Sequence, residues 1–277
     1  MALTELQREI LSVITSSRIE EGESYVAGGT ALNLLLEQPR ISRDIDLFHD
    51  TREALARTWR ADKTLLERAG FLISSIRELP GFVEAALGKG EARTLVQWTV
   101  DSAYRFFPLM HDDTLGLALH PFDLATNKVL ALVGRLEVRD WIDVIGCHSR
   151  LQELGYLVWA ACGKDPGLNP ELIIGEAARS GRYTQDEIAS LDFSGPRPDA
   201  GSLSREWKRI LAQAGGIVAA LPLGKIGTCV LNAMGGLFRG GPEELGKRLD
   251  RGEVHFHPGR IRGAFPSFPE NSGAPAT

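Results

Sequence analysis

The chain has 277 residues, of which 43% are hydrophobic, and its formal net charge is −5. This length suits one large domain or two modest ones, and the hydrophobic fraction is sufficient for a globular core. The acidic balance excludes the overall basic surface of a typical nucleic-acid binder, so a nucleic-acid substrate would need a local basic patch. The three cysteines are far apart, which favours a reducing compartment over a disulfide framework or a zinc site.

The N-terminal segment, MALTELQREILSVITSS, is amphipathic and contains acidic residues. It therefore lacks the basic start and the continuous apolar core of a signal peptide. Its apolar spacing predicts a first helix from Thr4 to Ser16. No apolar run in the chain approaches the length of a membrane span. We therefore expect a soluble, cytoplasmic protein with no membrane partner.

Gly28 and Gly29 follow a short predicted strand, Tyr25–Ala27. A predicted helix, Ala31–Glu37, comes next, and Thr30 is placed to cap it. Glycines without side chains let an anion approach the backbone, and the free N–H groups and dipole of a helix N-terminus attract it. This order of elements predicts an anion-binding turn.

Asp44 and Asp46 lie on the next predicted strand, which reads DIDLF. Residues two apart on a strand point to the same side, so the two aspartates share one face while Ile45 and Leu47 enter the core. Two like charges side by side repel each other, and a divalent cation between them would remove that cost. A phosphate site beside a metal site indicates phosphoryl or nucleotidyl transfer.

Further predicted elements complete a sheet of about five strands, in an α+β arrangement. Thr51 is placed to cap a long helix that continues to Ala69. Alternating and apolar runs predict strands over Phe71–Arg77, Phe82–Leu87 and Arg93–Asp101.

The combination of GGTAL with RxSxDIDLF resembles the signature of the nucleotidyltransferase superfamily. The full sequence of these motifs is similar to that of the AbiEii/MenT branch. Members of that branch are nucleotidyltransferase-like toxins of bacterial type IV toxin–antitoxin systems. The resemblance implies a nucleotidyltransferase-fold mixed sheet flanked by helices, an NTP substrate, and Mg²⁺ or Mn²⁺ as the metal. It also implies a set of residues that bind the nucleotide, namely Gly28, Gly29, Thr30, Arg40, Ser42 and Lys128.

Asp101 is the candidate for a third metal ligand beside Asp44 and Asp46, since nucleotidyltransferases carry a third acidic residue on a later strand of the same sheet. Alternation places Asp101 on the same face as Gln97 and Thr99, which we expect to be the open side of the sheet. The alternative interpretation is that Asp101 simply forms a turn at a strand end.

A helical pattern begins at Pro121 and includes Lys128, and further along it contains the sequence RDWID. One interpretation is a solvated face of salt bridges. The resemblance implies instead the lysine–aspartate motif of the AbiEii type. Lys128 would then bind the triphosphate, and Asp140 or Asp143 would orient Lys128 or complete the site.

We predict three units: a catalytic domain over residues 1–118, a helical domain over 119–214 that completes the cleft, and an accessory module over 215–277. Gly235 and Gly236 predict a hairpin between Thr228–Leu231 and Leu237–Arg239. His255 and His257 share one face of a predicted strand and are expected to be a surface pair. The module either contacts a partner or substrate or is a small structural appendage, and the tail PENSGAPAT is expected to be disordered.

The predicted activity is transfer of a nucleoside monophosphate from an NTP to an acceptor hydroxyl. By resemblance, the acceptor would be a tRNA 3′ end and the partner a cognate antitoxin protein. Two alternatives remain open at this point: a small-molecule nucleotidyltransferase of the antibiotic-modifying kind, and a catalytically silent nucleotide-binding module.

Overall fold

The computed structural model describes residues 3–268, without the side chains of Ser17, Glu20 and Glu21. The predicted disordered tail, residues 269–277, lies outside this part of the chain. The α-helices of the described part are α1 (Glu5–Glu21), α2 (Gly28–Leu35), α3 (Arg52–Arg68), α4 (Pro121–Arg135), α5 (Val138–Arg150), α6 (Leu154–Ala161), α7 (Pro170–Ala177), α8 (Gln185–Ala189), α9 (Ala200–Ala220) and α10 (Pro242–Asp250). Within residues 3–268, no helix is both long and apolar enough to cross a bilayer.

The strands fall into one large sheet and three two-stranded pairs within the described residues. They are β1 (Ser24–Ala27), β2 (Arg40–Ile41), β3 (Asp44–His49), β4 (Leu72–Leu79), β5 (Phe82–Lys89), β6 (Ala92–Val100), β7 (Tyr104–Arg105), β8 (Met110–Asp112), β9 (Gly116–Ala118), β10 (Asp192–Phe193), β11 (Thr228–Asn232), β12 (Val254–Pro258) and β13 (Arg260–Ile261).

The large sheet has seven strands in the order β4-β5-β6-β3-β1-β9-β8. It is mixed, because β3 runs parallel to β6 and antiparallel to β1. Sequence patterns predicted about five strands, and the extra ones, β8 and β9, have only three residues each. Such short segments carry no readable alternation. Helices α1 and α3 cover one face of the sheet, while α2 lies on β3 and contacts α4.

The helical part packs beside the sheet rather than as an isolated unit. Helix α4 contacts α5, α6 and α7, and α6 packs along α9. Trp141, Trp159 and Trp207 are buried in this part. Helix α9 runs through the predicted boundary after residue 214, so the helical domain and the C-terminal module share a continuous helix.

The C-terminal module pairs differently from the sequence prediction. Strand β11 pairs with β12, and the predicted second arm at Leu237 contributes one isolated bridge to Leu231. The module also returns to the catalytic sheet, since β13 pairs with β7. His257 is buried, not a surface residue, and its Nε2 lies 2.8 Å from the carbonyl oxygen of Phe106.

His49 lies on the core side of β3 and is fully buried. Its Nδ1 is 3.3 Å from the carbonyl oxygen of Thr99, which can only accept, so Nδ1 carries a proton. Its Nε2 is 2.6 Å from the hydroxyl of Thr58. Burial, together with the nearby Arg18, lowers the pKa of His49 to about 4, so the ring is neutral in the folded protein at neutral pH.

We predict that acidification destabilises the fold through His49. Between pH ~6.5 and about 4, a histidine in the unfolded chain is protonated while folded His49 stays neutral. The free energy of unfolding therefore falls as the pH falls through this window. The loss attributable to His49 is up to about 3 kcal/mol at the acid end. Urea denaturation of wild type and His49→Gln at several pH values measures it. The variant should show a shallower dependence, whereas substituting the exposed His111 by Gln should leave the wild-type slope unchanged.

Candidate active site

The two aspartates of β3 share the open face of the sheet, as the sequence alternation indicated. Asp44 and Asp46 are partly exposed, while Ile45 and Leu47 between and after them are fully buried. In the parallel register with β6, Asp46 lies opposite Gln97. Asp46 and Gln97 therefore form neighbouring positions on one surface.

The glycine pair makes room for side chains of the site. Gly28 has a φ of +65°, and a Cβ at this position would lie 1.7 Å from Oδ2 of Asp46. At Gly29, a Cβ would lie 2.7 Å from a guanidinium nitrogen of Arg40 and 3.0 Å from the Ser42 hydroxyl. The turn therefore needs glycine both for its left-handed backbone and for the close approach of these three side chains.

The helix after the turn begins earlier than predicted. Helix α2 starts at Gly28, and its N-cap residue, Ala27, makes no side-chain cap hydrogen bond. Thr30 is fully buried within the first turn, and its hydroxyl donates to the carbonyl oxygen of Asp44. The prediction of Thr30 as the cap is therefore wrong, and its hydroxyl is committed to the β3 backbone. The uncapped first turn leaves backbone N–H groups for a ligand.

A cleft of about 420 Å³ opens over the aspartate pair. Below, "the cleft" denotes this cavity, which is lined by Gly28, Gly29, Arg40, Ser42, Asp44, Asp46, Phe48, Phe82, Gln97, Thr99, Leu124, Asn127, Lys128, Ala131, Arg135 and Arg139. Carboxylates lie on the sheet side, and cations come from β2, α4 and α5. This volume is in the usual range for small-molecule sites.

The cations of the cleft wall are held by a buried ion cluster. Nζ of Lys128 is 3.0 Å from a carboxylate oxygen of Asp140 and 3.0 Å from one of Asp143. Arg40 makes two hydrogen bonds to Asp143, of 2.6 and 2.7 Å, and Arg135 makes two to Asp140, of 2.6 and 3.0 Å. We refer to these five residues as the ion cluster. It joins the loop before β3 to α4 and α5.

Both carboxylates of the ion cluster are fully buried and outside the cleft lining, so they contact the cations and not the open space. Burial lowers the pKa of Lys128, but Asp143 and Asp140 outweigh this and raise it. Burial likewise raises the pKa of Asp140, but Arg135 and Lys128 outweigh this and lower it. The charges of this segment therefore do form salt bridges, but around buried carboxylates and not on a solvated face, and the role of Lys128 in the site stays a prediction.

The helix that carries Lys128 does not continue to Arg139. Helix α4 ends at Leu136, which has a left-handed backbone with φ 52°, and α5 begins two residues later. Arg139 nevertheless lines the cleft, and one of its terminal nitrogens is 3.9 Å from Oδ2 of Asp44. The turn thus brings Arg139 over the aspartates from a second helix.

Asp44 and Asp46 differ from the other carboxylates of the site because they lack close partners. Among the described residues, the Asp46 carboxylate makes no hydrogen bond or ion pair, and the Asp44 carboxylate has only the distant contact to Arg139. Burial, followed by the adjacent Asp44, raises the pKa of Asp46, although Lys128 opposes this. Two partly desolvated oxygen ligands without a counter-ion fit a hard divalent cation such as Mg²⁺ or Mn²⁺.

Asp101 does not join the aspartate pair. It lies four residues beyond Gln97, about 13 Å along an extended chain, and it is absent from the cleft lining. Within residues 3–268, no three His, Cys, Asp or Glu side chains are grouped to hold a metal ion. The three-carboxylate site expected from the sequence is therefore not formed, because Gln97 occupies the level of Asp46. The position of Asp101 along the sheet depends on the β3–β6 register, which no local pattern reveals.

Sequence reasoning also missed several cleft residues. Phe48 and Thr99 follow the site residues along β3 and β6, and Asn127 precedes Lys128 on α4. Period-two spacing from Asp46 could have identified Phe48. Phe82, in contrast, reaches the site from the neighbouring β5, opposite Thr99, and only the pairing of β5 with β6 places it there.

Comparison with known proteins supports this architecture. Residues 15–103 match the family described as nucleotidyl transferase AbiEii toxin, type IV toxin–antitoxin system, which confirms the predicted resemblance for that segment. A candidate nucleotidyltransferase from H. pylori is 14% identical, with a TM-score of 0.50, covering 79% of this chain and 99% of its own. This likeness confirms the predicted fold class.

MenT4, a nucleotidyltransferase toxin from Mycobacterium tuberculosis H37Rv, is 17% identical with a TM-score of 0.48, covering 75% of this chain and 83% of its own. No curated protein sequence matches the chain significantly.

We predict that Gly28→Ala displaces the carboxylate of Asp46. Gly22 provides a matched control, because its φ of +67° is nearly the same and no atom lies within 4 Å of a Cβ built there. Each substitution should cost about 1–2 kcal/mol of left-handed strain. Only Gly28→Ala should also lower the affinity for Mn²⁺, measured by titration. Equal Mn²⁺ affinity in the two variants would show that the Gly28–Asp46 contact does not matter.

We also predict that Asp143→Asn is strongly destabilising. It removes one charge of the ion cluster and leaves Arg40 and Lys128 without their shared partner, which costs about 3–5 kcal/mol for a buried pair. The control is Asp192→Asn, since the Arg43–Asp192 pair is largely exposed and is worth about 0–1 kcal/mol. Urea denaturation measures both free energies of unfolding. Similar costs for the two variants would contradict a structural role for the ion cluster.

Proposed function

We propose that the protein is a nucleotidyltransferase of the AbiEii toxin kind, which transfers a nucleoside monophosphate from an NTP to an acceptor hydroxyl. The observation that carries this proposal is the pair Asp44 and Asp46, which lack close partners, pack against an uncapped helix N-terminus and face a wall of cations. The match of residues 15–103 to the AbiEii family supports it. The proposed acceptor is the 3′ end of an RNA such as tRNA.

The triphosphate would lie between the turn and the cation wall. Gly28 and Gly29 offer backbone N–H donors, and Lys128 and Arg139 offer positive charge from the opposite side. Arg40 and Ser42 come close to Gly29 and line the same end of the cleft. The nucleoside would then lie toward Phe48, whose ring lines the cleft two residues beyond Asp46.

In the proposed step, an oxygen of the acceptor hydroxyl attacks the α-phosphorus of the NTP. A new P–O bond forms, the bond from the α-phosphorus to the β-bridging oxygen breaks, and pyrophosphate leaves. The hydroxyl proton goes to solvent, so the products are the nucleotidylated acceptor, pyrophosphate and H⁺. Mg²⁺ or Mn²⁺, when bound by Asp44 and Asp46, supplies charge stabilisation for the α-phosphate and the leaving group.

Asp140 and Asp143 would act through the cations they hold. Each forms an ion pair with Lys128, so the ammonium group is fixed where it would meet the phosphates. Asp143 also fixes the planar guanidinium of Arg40 through two parallel bonds. In this proposal they are positioning residues, and neither takes part in the transfer itself.

The family suggests the biological setting. Its description as a type IV toxin–antitoxin system supports a cognate antitoxin as partner and a site of action in the cytoplasm. Nucleotidylation of an RNA 3′ end would block its use in translation, which agrees with a toxin.

The test determines which phosphate of the NTP is transferred to RNA. The full chain is incubated with total tRNA, Mg²⁺ and each NTP, labelled either at the α- or at the γ-phosphate. We predict that label from the α-phosphate enters the RNA and that label from the γ-phosphate does not. Asp46→Asn should reduce the transfer rate by at least ~10²–10³-fold, since it removes a ligand of the metal ion that would stabilise the charge of the transition state.

The control variant is Glu78→Gln, which makes the same chemical change on the exposed edge strand β4. It should transfer at the wild-type rate. Transfer of the γ-label would indicate a phosphotransferase. NTP binding without any transfer would favour the nucleotide-binding module.

A further inference from the structure

A second cavity, of about 320 Å³, continues the cleft along the sheet. Phe48, Thr99 and Asn127 line both spaces, so the two are adjoining. The second cavity then extends past the end of β6 to Asp101 and Tyr104. Its direction follows the shared face of β3 and β6, away from the end of the cleft where Gly28 lies.

The cations around the second cavity are already neutralised. Nζ of Lys164 lies 2.9 Å from a carboxylate oxygen of Asp123 and donates to the Asp123 carbonyl at 3.1 Å and to Oδ1 of Asn127 at 2.7 Å. These contacts use the three protons of the ammonium group. Arg105 is paired with Asp50 through bonds of 2.8 and 3.1 Å. Binding a phosphate here would break these pairs, so the cavity suits an uncharged group.

The remaining lining offers aromatic faces and hydrogen-bonding groups. Phe48 and Tyr104 are half-buried and present rings to the space. Asp101 is held by two bonds, from its N–H to the His49 carbonyl at 3.0 Å and from the Ser102 N–H to its Oδ1 at 2.7 Å. Its second carboxylate oxygen has no partner within the described residues. Because Oδ1 of Asn127 accepts from Lys164, its amide nitrogen is left as a donor at the junction.

The wall that carries Tyr104 is fixed by the C-terminal module. Strand β13 pairs with β7, and the Arg262 N–H donates to the Ala103 carbonyl at 2.7 Å. The backbone of Gly259 lies against the Tyr104 ring, where a Cβ would come within 2.5 Å of it. These contacts therefore fix the wall of the second cavity that carries Tyr104.

We propose that the second cavity binds the terminal nucleoside of a single-stranded RNA acceptor. The base would stack on Tyr104, since aromatic side chains stack on any base, and Asp101 would accept a hydrogen bond from the ribose 2′-hydroxyl. The 3′-oxygen would then face the α-phosphate across the junction at Asn127. This assignment rests on the proposed nucleotidyl transfer, in which that oxygen attacks and pyrophosphate leaves.

The probes are single-stranded RNA pentamers that end in either a ribonucleotide or a 2′-deoxyribonucleotide. Their binding to the full chain is followed by fluorescence anisotropy, and their use as acceptors by transfer of α-labelled nucleotide. Tyr104→Leu should raise the Kd and KM of the ribose-ended pentamer about tenfold, the effect of losing one stacked base. The Kd of the NTP should change less than twofold. Phe265→Leu, at an exposed aromatic outside both spaces, is the control and should change neither.

The role of Asp101 is tested with a double-mutant cycle, which combines a substitution at Asp101 with removal of the 2′-hydroxyl from the acceptor. In wild type, the deoxyribose-ended pentamer should bind about tenfold more weakly than its ribose counterpart, as expected for losing a hydrogen bond to a charged group. In Asp101→Ala, which leaves no side-chain acceptor for the 2′-hydroxyl, this preference should largely disappear. The exposed Asp113→Ala is the control and should keep the wild-type preference.

The outcomes separate this proposal from the proposed function. If wild type transfers nucleotide but neither variant changes the pentamer Kd or KM, the second cavity is not the acceptor site and the function stands. If Tyr104→Leu weakens the NTP instead, the cavity holds the base of the nucleotide and the proposal is overturned. If wild type transfers nothing while the variants still weaken the pentamer as expected, the RNA site stands and the proposed function fails.

Discussion

The site depends on the pairing of two buried carboxylates, Asp140 and Asp143, with Lys128 and Arg40. These four charges come from α5, α4 and the short strand β2, so three separate segments meet at one point. A charge taken out of water is costly unless a partner compensates it, and removal of one partner penalises the others. Each segment is therefore held in the position at which its charge is matched. The buried ion pairs therefore fix the positions of Lys128 and Arg40 in the cleft wall.

The carboxylates of the opposite wall are not paired in this way. Asp44 and Asp46 are adjacent on one face of β3 and are left without close protein partners, and the glycine turn brings a helix N-terminus against them. Repulsion between two partly desolvated carboxylates is a cost that the fold alone does not relieve. The site thus has matched carboxylates, which lie behind the cleft wall and hold its cations, and unmatched ones in the cleft lining, which have capacity for a metal ion. The presence or absence of a close cationic partner therefore distinguishes a structural carboxylate from a chemical one better than the residue type does.

Local sequence patterns correctly predicted the features that depend only on residues close together in the chain. Alternation placed Asp44 and Asp46 on one side of β3, and the need for glycine at a φ of +65° explains Gly28. The helix start was mispredicted, because two glycines are poor helix formers and Thr30 is a good cap. Its buried hydroxyl instead bonds the Asp44 backbone, a tertiary contact that overrides the propensity. Asp101 needed the β3–β6 register, and a shared face does not fix the level of a residue along a sheet.

The least predictable element is the C-terminal module, because its role arises entirely from contacts distant in sequence. Strand β13 pairs with β7, about 155 residues earlier, and His257 contacts the Phe106 carbonyl. Arg262 also lies 3.6 Å from Asp50, the partner of Arg105. The first two contacts fall on the segment after β6 and the third on Asp50, directly after β3, and none of the three falls on the glycine turn or on the ion cluster. The last part of the chain therefore shapes the far end of the site, while the cleft proposed to bind the nucleotide is lined by residues from the first 150 positions. In the proposed function, the C-terminal module would thus act on the acceptor end, which Phe48, Thr99 and Asn127 connect to the nucleotide end because they line both spaces.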